Sequence, residues 1–218
     1  MKKTRVKICG IKEKSHALGA SKAGADFIGL VMAHSPRRVT VAQAQELVSV
    51  IKEHGQATEV VGVFVNMPAP VVNQIARNCN LDWVQLSGNE TWGYCQMIKW
   101  PLIKVAHIAG QSPEEIGDYL AYGCEALSGQ RYLYLLDSKV EDRYGGTGVT
   151  FDWNLAGAVT RRFPVIIAGG LTPENVGQAI KTAAPWGVDV SSGVEVNGVK
   201  SVNRIKAFVE AVRRADDS

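Results

Sequence analysis

Short apolar runs recur along the chain, and each is followed by a turn signal and then by a segment whose apolar residues have helical spacing. Eight such runs, rich in Val, Ile and Leu, are predicted to be strands, and they cover residues 5–9, 26–32, 59–65, 82–86, 102–108, 131–136, 164–168 and 187–191. Because these runs are apolar on both faces and alternate with helical segments, they predict a parallel sheet with helices packed against it.

Two of the intervening segments show a clear apolar helical face. The face of segment 41–54 comprises Val41, Ala44, Leu47, Val48 and Ile51, and that of segment 201–214 comprises Val202, Ile205, Phe208, Val209 and Val212. Two further segments, "SPEE" at 112–115 and "TPEN" at 172–175, carry a capping hydroxyl followed by proline and predict helix starts at these positions.

Eight strand and helix units in a chain of 218 residues match a single (β/α)8 barrel, or TIM barrel, close to its minimum length. We therefore predict one domain over residues 1–218. An open, doubly wound sheet is the alternative. It is disfavoured because "CGIKEK", the first turn from strand to helix, lacks the G-x-G-x-x-G pattern, and because no residues remain for a second domain.

Composition narrows the partners to small molecules. The chain is 46% hydrophobic, and its 24 Lys and Arg are interspersed with 21 Asp and Glu, so no basic stripe indicates a nucleic acid or a membrane surface. No apolar run long enough for a signal peptide or membrane span is present, which favours a cytoplasmic protein. The oligomeric state is left open between monomer and homodimer. The four scattered cysteines favour neither disulfides nor a metal site.

Polar and reactive residues collect where the predicted strands end, and in a (β/α)8 barrel these ends form the active-site rim. Cys9 ends the first strand, and Asp137 closes the apolar run "YLYLL". A carboxylate there costs free energy unless it faces solvent or a substrate, although an aspartate can also simply open a loop.

Two glycine-containing turns near the end of the chain are candidate phosphate sites. "AGGL" contains Gly169 and Gly170, and "SSGVE" contains Ser191, Ser192 and Gly193. Small residues let backbone N–H groups approach an anion, and barrels frequently bind phosphate at these two loops, although glycines can also serve only as turns. A third glycine-rich stretch, "RYGGTG", includes Gly146 and could close over a site.

Eight motifs together resemble phosphoribosylanthranilate isomerase of tryptophan biosynthesis. They occur in the family's order over about residues 5 to 212, and they read "KICGI", "SPR", "VGVFVN", "VQL-GNE", "LLDS", "GGTG-TFDW", "AGGL-PENV" and "VDVSSGVE". The resemblance implies a barrel enzyme that performs an Amadori rearrangement of a phosphosugar without cofactor or metal.

The resemblance also implies roles for individual residues. Asp137 is expected to be the general acid and Cys9 the general base, while Arg37 in "SPRR" is expected to meet the anthranilate carboxylate with its guanidinium fork. The remaining expected substrate-binding residues are Gln85, Ser87, Gly146, Gly169, Gly170, Ser191, Ser192 and Gly193.

Ser87 departs from the family pattern, in which a histidine is usual. Serine is shorter and carries no charge, so the imidazole's contact to substrate would be lost, shortened or relayed through water. Two other functions stay open at this point. One is another sugar-phosphate isomerase or epimerase on the same barrel, and the other is a phosphosugar-binding protein without activity.

Overall fold

A closed barrel of eight parallel strands forms the centre of the molecule, in the order β1 to β8. The computed structural model describes residues 3–54, 57–138 and 153–218. The strands are β1 (Arg5–Cys9), β2 (Phe27–Val31), β3 (Glu59–Phe64), β4 (Trp83–Leu86), β5 (Leu102–Ile108), β6 (Tyr132–Ser138), β7 (Val165–Ile167) and β8 (Gly187–Val190). Pairing of β1 with β8 closes the barrel, so the predicted fold class is confirmed and the open sheet is excluded.

Helices follow the strands and cover the outside of the barrel. They are α1 (Lys14–Ala23), α2 (Val41–Glu53), α3 (Ala69–Asn78), α4 (Trp92–Cys95), α5 (Pro113–Ala126), α6 (Trp153–Thr160), α7 (Val176–Ala183) and α8 (Val202–Asp216). A small hairpin of β9 (Glu195–Val196) and β10 (Val199–Lys200) lies between β8 and α8. No helix among the described residues has the length and apolar character needed to cross a membrane.

Side chains that alternate along the strands build two separate apolar cores. The inner one fills the barrel and comprises Phe27, Val61, Trp83, Ile103, Val105, Leu133, Leu135, Ile166 and Ala168. The outer one lies between strands and helices and includes Val6, Ile8, Ile28 and Leu30. The strands are therefore buried on both faces, as their unbroken apolar runs predict. This packing also directs the last residues of each strand toward one rim.

The two predicted helix starts have different outcomes. Ser112 and Glu115 form a reciprocal capping box at the start of α5, as predicted. The prediction at 172–175 is wrong by several residues, because α7 begins only at Val176. The amide of Asn175 accepts the N–H of Thr172 and donates to the carbonyl of Gly170, which holds this segment as a turn against the loop after β7.

Candidate active site

A cavity of about 400 Å³ opens at the carboxyl ends of the barrel strands. Its lining includes ten of the eleven residues singled out from the sequence, namely Cys9, Arg37, Gln85, Ser87, Asp137, Gly169, Gly170, Ser191, Ser192 and Gly193. The eleventh, Gly146, lies outside the described residues. Residues far apart in the chain thus share one volume of the size that small-molecule sites have.

Cys9 is the last residue of β1 and points into the barrel mouth, where only 9% of the residue is exposed. Gly10 follows with a left-handed φ of 79° and turns the chain away from the strand. A side chain at Gly10 would collide with Arg37, so the glycine also lets the arginine lie close to the thiol. Burial raises the pKa of the Cys9 thiol, and the nearby Lys7 ammonium partly opposes that rise.

Asp137 lies on the β6 side of the same cavity. It is the penultimate residue of β6, because the strand continues through Ser138 alongside the long strand β5. Its partner in the β5–β6 register is His107, which also lines the cavity. Cys9 and Asp137 therefore approach the same space from different parts of the rim, which is the arrangement that two separate proton transfers require.

The guanidinium of Arg37 is held at the rim by a bidentate ion pair. Its Nε and Nη2 donate to the two carboxylate oxygens of Glu195 at 2.7 and 2.8 Å. Glu195 also accepts a hydrogen bond from Lys200 at 2.6 Å, and its side chain is only 7% exposed. Burial alone would raise the pKa of Glu195, but the hydrogen bonds from Arg37 and Lys200 lower it to about 2.

This lowered pKa predicts a specific loss of stability in acid. Because Glu195 ionises more readily in the folded chain than in the unfolded chain, it stabilises the fold above about pH 4.5, and that contribution disappears as the pH falls to about 2. We expect the free energy of unfolding of Glu195→Gln to be lower than that of the natural chain at pH 7, by on the order of 3 kcal/mol.

Urea unfolding at pH 7 and at pH 3 measures this difference, which should shrink at the lower pH. Glu210→Gln is the matched control, because Glu210 forms only an exposed pair with Lys206 at 3.8 Å. A difference between Glu195→Gln and the natural chain that is independent of pH would contradict the prediction.

Gln85 and Ser87 are joined on the β4 side of the cavity. The amide nitrogen of Gln85 donates to the Ser87 hydroxyl at 3.0 Å, and the Ser87 carbonyl is 2.9 Å from Nε2 of His107. The amide oxygen of Gln85 is buried and has no hydrogen-bond partner among the described residues. An imidazole therefore does lie beside Ser87, but it belongs to the next strand.

The loops after β7 and β8 lie in direct contact. Gly169 and Gly170 both have left-handed φ angles, of 87° and 64°. A Cβ added to Gly193 would lie 1.8 Å from the carbonyl oxygen of Leu171, so only glycine permits the second loop to pack on the first. The guanidinium of Arg204 donates to the Gly193 carbonyl at 3.1 Å and holds this contact from α8. Together the loops form the glycine-rich wall expected of a phosphate site.

A buried carboxylate supports the rim from below. Glu90 of the "SGNE" motif accepts the backbone N–H groups of Asn66 and Gly88, at 2.7 and 2.9 Å, and pairs with Lys104 at 3.1 Å. Its side chain and that of Lys104 are 1% and 2% exposed. Glu90 therefore links the loop after β3 to the loop after β4. It influences the cavity only by fixing the positions of these two loops.

Sequence reasoning missed several residues of the cavity. His34, His107 and Asp189 line it, and Glu195 holds Arg37 at its edge. Two-residue alternation within the strands gives a signal for some of them, because Asp189 precedes Ser191 by two positions and His107 follows inward-facing Val105 by two. Among the described residues, no group of three His, Cys, Asp or Glu side chains is placed to hold a metal ion.

Comparison with known proteins points to one isomerase family. The family model of N-(5'-phosphoribosyl)anthranilate isomerase matches residues 6–211. The enzyme of that name from Dehalococcoides mccartyi is 44% identical over 213 residues, which cover 97% of each chain.

Solved structures agree as well. The phosphoribosylanthranilate isomerase of Thermotoga maritima is 34% identical with a TM-score of 0.84, over 97% of this chain and 99% of that one. A structure of the isomerase in complex with reduced 1-(o-carboxyphenylamino)-1-deoxyribulose 5-phosphate is 32% identical with a TM-score of 0.81, over the same shares. On these matches over nearly its whole length, the chain belongs to the N-(5'-phosphoribosyl)anthranilate isomerase family.

Proposed function

We propose that Cys9 and Asp137 carry out the two proton transfers of the isomerase reaction in this chain. The reaction converts N-(5'-phosphoribosyl)anthranilate into 1-(2-carboxyphenylamino)-1-deoxyribulose 5-phosphate in tryptophan biosynthesis. The observation that carries the assignment is the shared cavity, which is lined by the thiol, the carboxylate and both glycine-rich loops. An acid and a base on separate walls can act on two different atoms of one bound sugar.

The first step opens the ribose ring. Asp137 donates its proton to the ring oxygen, and the bond between that oxygen and C1 breaks while the nitrogen lone pair forms a C1–N double bond. The product is a protonated Schiff base with a positive charge on nitrogen. A carboxyl group performs this step only while it is protonated, so Asp137 must hold a proton in the substrate complex.

The second step moves a proton away from C2. The Cys9 thiolate takes that proton, the C2–H electrons form a C1–C2 double bond, and the C1–N π electrons return to nitrogen. The Cys9 thiol returns its proton to C1 of the resulting enolamine, and the C2 hydroxyl gives its proton to the Asp137 carboxylate, which yields the ketone and restores both groups. The thiolate is the reactive form, so the environment that sets the Cys9 pKa controls this step.

The two ends of the substrate have separate partners in this proposal. The phosphate is bound by the loops of Gly169–Gly170 and Ser192–Gly193, through backbone N–H groups. The anthranilate carboxylate meets the Nη1 side of Arg37, because Glu195 already takes Nε and one hydrogen of Nη2.

Gln85, Ser87 and Gly146 remain predicted substrate contacts. The cytoplasmic location and the monomeric or homodimeric state also remain predictions.

Turnover by the purified protein tests the function directly. Freshly generated phosphoribosylanthranilate should be consumed by the protein, and the gene should rescue a tryptophan auxotroph that lacks this isomerase. A folded protein that does neither would be a binding protein without activity, and the proposal would fail.

Phosphate should stabilise the fold, because it binds the native loops and not the unfolded chain. At a concentration about 100 times its dissociation constant, inorganic phosphate is expected to add about 2.7 kcal/mol to the free energy of unfolding. Thermal unfolding in phosphate, compared with chloride at equal ionic strength, measures the effect.

A charge placed in the loop after β8 should remove this stabilisation. Ser192→Asp puts a carboxylate where the phosphate is expected, whereas Ser87→Asp places the same group after β4, four strands away from β8 around the barrel. Only Ser192→Asp is expected to abolish the stabilisation by phosphate. Equal losses in both variants would point to a general effect of charge in the cavity.

A further inference from the structure

A lysine and an aspartate form a buried ion pair in the barrel directly below the rim. Lys7 of β1 and Asp189 of β8 are partners in the strand register, and Lys7 Nζ donates to Asp189 Oδ1 at 2.9 Å. The Lys7 side chain is 0% exposed. Removing two charges from water costs free energy that their mutual attraction often fails to repay, so stability alone is a weak reason for this pair.

The ammonium of this pair lies next to the Cys9 thiol. Lys7 and Cys9 are two residues apart on one strand and point to the same face. A Cβ added to Gly29 would lie 3.0 Å from Cys9 Sγ and 3.1 Å from Lys7 Nζ, so both atoms border the space that this glycine leaves open. Gly29 is also the register partner of Cys9 in β2. The thiol and the ammonium therefore meet in a pocket from which water is largely excluded.

The charges around Cys9 act in opposite directions. After burial, Lys7 has the largest influence on the Cys9 pKa and lowers it, through its charge and a hydrogen bond, while Asp189 raises it. Lys200 lowers it from β10, and Arg37 approaches the thiol from the loop after β2.

Two of these cations are already engaged elsewhere. Lys200 donates to Glu195 and to the carbonyl of Ser191, and Arg37 is paired with Glu195. Lys7 is paired with Asp189, but its Nζ and Cys9 Sγ border the same space beside Gly29.

We propose that Lys7, kept charged by Asp189, is a positioning residue that stabilises the thiolate of Cys9. A buried lysine without a carboxylate would tend to lose its proton, so Asp189 is needed even though its own charge disfavours the thiolate. When the thiolate accepts a proton from substrate, Lys7 remains charged and paired with Asp189. This inference rests on the proposed role of Cys9 as base.

The pH dependence of Cys9 alkylation measures its pKa without any turnover. Iodoacetamide reacts with the thiolate, and mass spectrometry of the peptide that contains Cys9 separates it from the other three cysteines. In Lys7→Gln the alkylation pKa of Cys9 is expected to rise by about one unit or more, so its thiolate fraction at pH 8 falls about tenfold. In Asp189→Asn it is expected to rise by a smaller amount, because the buried Lys7 then tends to lose its proton while the Asp189 charge that disfavours the thiolate is also removed.

Lys104→Gln is the matched control, because Lys104 is also a buried lysine paired with a carboxylate, but on the outer side of β5. It should lower stability and leave the Cys9 pKa unchanged. If Lys7→Gln fails to fold, the double variant Lys7→Gln/Asp189→Asn removes both charges and is expected to raise the pKa by a smaller amount. A Cys9 pKa in the folded variant equal to that of the natural chain overturns the inference.

Steady-state kinetics distinguish a failure of this inference from a failure of the proposed function. In Lys7→Gln, the rise of kcat with pH should shift upward together with the alkylation pKa, while KM stays within a few-fold. If the alkylation pKa shifts but the kcat profile does not, the ammonium stabilises the thiolate and Cys9 is not the base. If neither shifts, Lys7 has only a structural role.

Discussion

Cys9→Ala is expected to lower kcat by a factor of about 100 or more and to leave KM within a few-fold. The thiolate acts on the C2 proton in the transition state, and alanine supplies no group that can accept it. Substrate binding should persist because the phosphate loops and Arg37 are separate from the thiol's chemistry. Steady-state kinetics on freshly generated substrate, over a range of pH, gives both constants.

Cys79→Ala provides the matched control for this loss. Cys79 is also a buried thiol, at 1% exposure, but it lies at the end of α3 and outside the cavity. Its removal should cost some stability through lost packing and should leave kcat unchanged. Near-normal turnover in Cys9→Ala would remove the thiol from the mechanism, whereas equal losses in both variants would indicate a general effect on folding.

Strand positions were predictable because burial on both faces leaves a continuous apolar run in the sequence. The predicted strands 5–9 and 102–108 agree with β1 and β5 at both ends. The run at 164–168 overestimates β7, which comprises only Val165–Ile167. Ala168 lies one residue beyond the end of β7, but its side chain faces the inner core. The apolar run therefore extends past the last paired residue of the strand.

Two predictions about helices were wrong, and the spacing of apolar residues does not reveal the local contacts that explain why. The side chain of Asn175 is bound to the loop after β7, and these local hydrogen bonds delay the start of α7. Val202 was assigned to the buried face of α8, yet it is 39% exposed. It is the first residue of that helix and packs against Gly19 of α1 with only part of its surface.

The candidate site was predictable in position, because every strand of a parallel barrel ends at the same rim. That rule places Cys9 and the two glycine-rich loops in one cavity before any coordinates are known. It says nothing about which charges meet there. Lys7 and Asp189 are 182 positions apart, and Arg37 and Glu195 are 158 apart, so both pairs depend on the closure and register of the barrel.

Asp137→Asn is expected to lower kcat by roughly 1,000-fold or more, since the amide has nearly the size of the carboxyl group but cannot deliver a proton to the ring oxygen. Binding of a stable phosphate-bearing product analogue should stay within a few-fold, because that ligand needs no ring opening. Asp118→Asn makes the same substitution on the exposed face of α5 and should change neither quantity.

Substrate deuterated at C2 distinguishes the acid from the base. In Asp137→Asn, residual turnover is limited by ring opening, which leaves the C2–H bond intact, so the deuterium isotope effect on kcat should approach unity. In Cys9→Ala, residual turnover is limited by breaking that bond, so a full isotope effect should appear. A large isotope effect in Asp137→Asn would show that the substitution slows a step after ring opening. Retention of most activity in both Asp137→Asn and Asp137→Ala would place the acid on another residue.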